Sequence, residues 1–99
     1  MDLDRLKDET LALINEYSED SSHRELIPQK PYGELDCGFR LYLAYWNDDA
    51  HSTHTVGFMY DSKTDMLYRP SEKENNLISL EAAVDYFKEQ LSKIPLITN

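Results

Sequence analysis

The chain has 99 residues and carries 19 Asp and Glu against 10 Lys and Arg, a formal net charge of −9 at pH 7. A field of that sign repels nucleic-acid backbones and anionic membranes and favours encounter with basic partners. With 40% apolar and 11% aromatic residues, the composition is too rich for a disordered acidic tail, and the length predicts one domain, 1–99, able to bury a core.

Leu3, Leu6, Thr10, Leu13 and Tyr17 recur at three- and four-residue steps, which predicts an amphipathic helix over 3–17. The segment 1–22 also holds seven acids (Asp2, Asp4, Asp8, Glu9, Glu16, Glu19 and Asp20) against Arg5 and Lys7, more than half of the net charge. It lacks the apolar stretch of a secretory leader, and the longest apolar run, Leu41 to Trp46, is six residues, against the ~20 needed to span a bilayer. The expectation is a cytoplasmic protein. Segment 18–36 is rich in Ser, Asp and Glu and then carries Pro28, Pro31 and Gly33; it reads as a long loop, with a short edge strand near Glu25 to Ile27. The one cysteine, Cys37, cannot form an intramolecular disulfide, which fits a reducing compartment.

From Gly38 the apolar period becomes two. Phe39 to Trp46 predicts a first strand, Thr53 to Tyr60 a second and Met66 to Arg69 a third, separated by polar turns at Asn47 to Asp49 and Asp61 to Thr64. Centring the first turn at Asp49 and Ala50 pairs Phe39 with Tyr60, Leu41 with Phe58, Leu43 with Val56 and Tyr45 with His54. Centring the second on Lys63 pairs Tyr60 with Met66 and Phe58 with Tyr68. That side is the expected core. The other side gathers Tyr42, Trp46, Met59 and Leu67, with Gly57 at its middle as the mark of a bulge. Ser79 then N-caps a second helix, whose stripe is Leu80, Ala83, Val84, Phe87, Leu91 and Ile94. The expected fold is α+β: helix, long loop, three-stranded antiparallel meander and C-terminal helix, with both helices packed on one sheet face.

The side chains that carry chemistry form no recognised catalytic set. No glycine-rich phosphate loop, GxSxG, CxxC or HExxH is present, and no cofactor is expected. His51 and His54 follow Asp48 and Asp49, but a zinc site needs three or four convergent ligands, and the register puts Cys37 at the far end of the first strand. No metal site is expected, and His51, Asp61 and Asp65 read as turn residues. Glu81, Asp85 and Glu89 share one face of the second helix, where Lys88 and Lys93 make an ordinary solvated surface.

What remains is a binding reading rather than an enzyme. The expected partner-binding residues are Trp46, Tyr42, Met59 and Leu67 on an open sheet face, and Asp2, Asp4, Asp8, Glu9, Glu16, Asp48 and Asp49, since the negative excess that remains in the first helix after Arg5 and Lys7, with the two acids at the hairpin tip, has no basic counterweight nearby in sequence. The function they suggest is an acidic inhibitor that docks on a basic partner, a toxin, nuclease or nucleic-acid-binding protein, and blocks it, as immunity and anti-defence proteins do. The alternatives are a small hydrolase or transferase using His54, His23 or Cys37 with nearby acids, and an adaptor homodimer built on the open sheet face.

Overall fold

The computed structural model describes residues 1–29, 39–69, 72–77 and 79–97. Its elements are α1 (Leu3–Ser18), β1 (Ile27–Pro28), β2 (Phe39–Asn47), β3 (Thr53–Asp61), β4 (Met66–Arg69), β5 (Glu72–Leu77) and α2 (Leu80–Ser92). The strands form one antiparallel sheet in sequence order, β1-β2-β3-β4-β5. Since β1 is a two-residue bridge to Tyr45 and Ala44, the body of the sheet is four-stranded, one strand more than the expected meander.

Both helices begin where their caps place them. Asp2 accepts the Arg5 amide at 3.0 Å, and Ser79 accepts the Ala82 amide at 3.1 Å, each satisfying a backbone donor that the first turn leaves free. Helix α2 packs on β3, and α1 packs on α2. The two run in the same direction, because Arg5 reaches Glu81 at 3.4 Å near both N-termini, while Leu13 and Tyr17 stand beside Leu91 near both C-termini. The core joins Leu6, Ile14 and Tyr17 of α1 and Ala83, Phe87 and Leu91 of α2 to the even-numbered residues of β2 and β3.

The sheet register differs from the expected one by one residue. Observed pairs are Tyr42 with Phe58, Ala44 with Val56 and Trp46 with His54, because the connection 48–52 has five residues and centres on Ala50. Asp48 organises it: its Oδ1 accepts the Ala50 and Ser52 amides at 2.9 Å each, and His51 takes the left-handed φ of 64°. A slip of one residue exchanges the faces of a strand. The β3 core residues, Val56, Phe58 and Tyr60, stand as expected, but in β2 the core is Tyr42, Ala44 and Trp46. The second turn is longer than expected as well, so Leu67 pairs with Tyr60 and is fully buried. The open-face placement of Tyr42 (1% exposed), Trp46 (8%) and Leu67 (0%) is therefore corrected: all three are core. The β2–β3 ladder also runs through Gly57 without a register shift, so the expected bulge is not formed.

Strand β5, Glu-Lys-Glu-Asn-Asn-Leu, was not expected, since its residues have low strand propensity. It forms by pairing with β4 at the edge of the sheet.

Candidate functional site

The structure places the candidate residues in three regions. The first is the β2–β3 connection, where Asp48 and Asp49 have basic neighbours that sequence distance concealed. His54 Nε2 hydrogen-bonds Asp48 Oδ2 at 2.8 Å, which together with the Ser52 and Ala50 amides holds the Asp48 carboxyl below its usual range. Asp49 is held low by Arg24, whose two terminal nitrogens donate to its two oxygens at 3.1 and 3.3 Å. Arg24 is buried and also donates to the Pro95 and Asn47 carbonyls, tying the loop after α1 to the hairpin end and the C-terminal tail. Its guanidinium lies 5.5 Å from the Trp46 ring centre, and His54 stacks on Trp46 at 4.5 Å. Asp48 and Asp49 thus brace the hairpin; no local pattern marks Arg24 as the partner of Asp49, so the brace is not legible in the sequence.

A cleft of about 230 Å³ beside this brace is lined by Trp46, His54, Val56, Gln90, Lys93 and Ile94. His54 lines it and carries its hydrogen bond to Asp48, which is not among the lining residues, while His23 lines a different cleft. Cys37 lies outside the described residues. Among the described residues no three His, Cys, Asp or Glu side chains gather as metal ligands would.

The second region is the odd-numbered sheet face, with Phe39, Leu41, Leu43, Tyr45, Met59 and Tyr68. None of these joins the core under the helices. Met59 is the one member of the expected aromatic and apolar patch that lies here, as its pairing with Leu41 and Tyr68 requires.

The third region is the helical layer. Asp2, Asp4, Asp8 and Glu16 are exposed, and Glu9 is half-buried beside Arg5 at 3.4 Å. Between the C-terminal halves of the helices is a groove of about 520 Å³, lined by Leu13, Glu16, Tyr17, Asp20, His23, Lys88 and Leu91. Its floor is apolar. Tyr17 and His23 stack in parallel with centres 4.0 Å apart, and His23 Nδ1 donates to the Tyr17 carbonyl at 2.7 Å, which fixes the imidazole beside the groove. Burial pushes the Tyr17 phenol above its usual range. Asp20 is lowered by the Ser22 hydroxyl and amide that donate to it, so it is anionic at neutral pH. Neither helix has a basic residue in its last turn, although that end carries the negative pole of the helix dipole. The groove thus combines two helix C-termini, two carboxylates and a stacked aromatic pair, with Lys88 as the one base on its wall. The sequence offered one signal for it, the acids at the C-terminal end of α1.

No helix among the described residues is long and apolar enough to cross a membrane. No protein-family model, no curated protein and no solved structure matches the chain.

Proposed function

We propose that the chain is a stoichiometric binding protein that docks on a basic protein partner through its helical layer and blocks the partner's positively charged site. The observation that carries this reading is the α1–α2 groove. Acids at a helix C-terminus oppose the dipole, and Glu16 and Asp20 stand there, where a cation from outside reverses the cost. An arginine suits the groove: its planar guanidinium stacks on aromatic rings and pairs with carboxylates. The exposed acids along the rest of α1 add a negative field that speeds the encounter, while the apolar side chains of the groove hold the complex.

The test is affinity capture from the native host with the whole protein and with a Glu16→Lys, Asp20→Lys variant, at ~50 and 200 mM salt, between which the screening length falls by about half. The expected result is a basic protein held by the parent, more strongly at low salt, and lost by the variant. Equal capture by both would exclude the groove as the docking site.

A further inference from the structure

We infer that His23 is a proton-operated gate of the α1–α2 groove: on taking up a second ring proton it pairs with Asp20 and weakens the hold on a basic side chain. The inference rests on the reading of the groove as a site for an arginine, and adds the condition under which that site releases its occupant.

The geometry fixes which nitrogen takes the proton. A carbonyl oxygen can only accept, so the 2.7 Å contact with the Tyr17 carbonyl places the hydrogen of the neutral ring on Nδ1. The other nitrogen, Nε2, is then bare, and it stands 3.8 Å from Asp20 Oδ2. In the neutral state two acceptors meet across that gap, and a proton on Nε2 turns them into an ion pair. The ring needs no rearrangement for this, because its stack on Tyr17 and its bond to the Tyr17 carbonyl are both kept.

The groups around His23 single out that proton. Asp20 accepts from the Ser22 hydroxyl and amide, which hold its carboxyl below the ordinary value and keep it charged in mild acid. Helix α1 brings Glu16 and the Tyr17 phenol, which burial pushes up, and α2 brings Lys88. Arg24, next in the chain, is committed to Asp49. On the tail side the Ile97 amide donates to the Ser22 carbonyl, and residues 95–97 have no titratable side chain. Of these side-chain types, histidine alone ordinarily changes its charge between about pH 8 and 5.5.

The consequence is a change of sign balance in the groove. With the ring neutral, a guanidinium meets Glu16 and Asp20 against the single positive charge of Lys88. With the ring charged, Asp20 is matched from within the protein, and the incoming cation meets two positive charges. A partly exposed pair is worth less than tenfold in affinity, so the expected effect is about fivefold. The chain thus holds its basic partner in neutral surroundings and releases it in mildly acidic ones.

Titration of the labelled full chain with a hexa-arginine peptide, whose own charge is constant over this range, tests the gate by nuclear magnetic resonance at about pH 8 and 5.5 in ~50 mM salt. The expected result is binding about fivefold tighter at the higher pH. By reciprocity, bound peptide should move the ring titration of His23 to lower pH. His23→Gln keeps a donor for the Tyr17 carbonyl and His23→Phe keeps the stack; both should bind at the higher pH and lose the difference between the two. His51 and His54 remain in both variants, so an effect of overall charge would survive the substitution. Equal binding by the parent at both pH values, a His23 titration unmoved by the peptide, or variants with the parent's pH dependence would overturn the gate and leave the groove as a cation site. A parent that fails to bind at the higher pH would overturn the groove reading itself, and the gate with it.

Discussion

The carbonyl oxygen of Tyr42 lies where a side chain on Gly57 would begin: a Cβ at Gly57 would stand 1.9 Å from it. Gly57 also has φ of 133°, a conformation that side chains strongly disfavour. Its amide donates to Gln90 Oε1 at 2.8 Å, so a strand donor is satisfied by helix α2. What approaches Gly57 closely is therefore the backbone of β2. Gly57→Ala should cost on the order of 3 kcal/mol or more, from a backbone clash combined with a strained φ, measured by urea unfolding. Gln90→Leu should cost about 1–3 kcal/mol, because it leaves that donor unpaired.

The face assignment makes a second prediction. Phe87→Ala and Tyr42→Ala should each cost roughly 3–5 kcal/mol, since both side chains fill the core, whereas Leu41→Ala should cost less than half of that. Equal destabilisation by Leu41→Ala and Tyr42→Ala in thermal melts would contradict the observed register.

Much of the fold was legible in the sequence, and the misreadings share a physical origin. The helices could be read because their stripes and caps, Asp2 and Ser79, agree on where each begins. The strands could be located by their β-branched and aromatic residues. The faces of β2 could not be told apart, because Phe39, Leu41, Leu43 and Tyr45 on one side are as apolar as Tyr42, Ala44 and Trp46 on the other, so one residue in the turn decided the outcome. Strand β5 was hidden by its polarity. In the candidate site, the acids of α1 were visible, but the groove depends on α1 lying beside α2 and on His23 folding back onto Tyr17, contacts that no local pattern announces.

Trp46 reports its own environment. At 8% exposure, its fluorescence in the parent should be quenched only slightly by iodide. Trp46→Ala should unfold the protein or destabilise it by roughly 3–5 kcal/mol, since a large core side chain is removed, together with its contacts to Arg24 and His54. Strong iodide quenching in the folded parent would return this residue to the surface.

Acid should destabilise the fold through three carboxyls. Asp48, Asp49 and Asp20 all sit below the ordinary value of 3.8, because of their bonds to His54, Arg24 and Ser22 respectively. The unfolded chain therefore takes up these protons first. The stability they contribute is fully present above pH 3.8 and is lost as pH falls through their lowered values. Urea midpoints between pH 5 and about pH 2 should fall with acid, and Arg24→Met should remove the part due to Asp49.

Alkali acts on Tyr60 with the opposite sign. The Asp65 carboxylate accepts its hydroxyl and raises its pKa above 10.0. The folded state therefore keeps this proton longer than the unfolded chain does, and stability falls as pH rises past 10.0. Tyr60→Phe should show a smaller loss between pH 9 and about pH 11.

The central claim, that the α1–α2 groove receives a basic side chain, can be tested without knowing the partner by titrating the labelled protein with a hexa-arginine peptide in nuclear magnetic resonance. The account predicts saturable shifts at Tyr17 and His23 with little change at the Met59 methyl. Glu16→Gln with Asp20→Asn should weaken binding about tenfold, Lys88→Glu should strengthen it about threefold, and raising salt from ~50 to 200 mM should weaken the parent's binding. Shifts centred on Met59, or an affinity indifferent to all three substitutions, would contradict it.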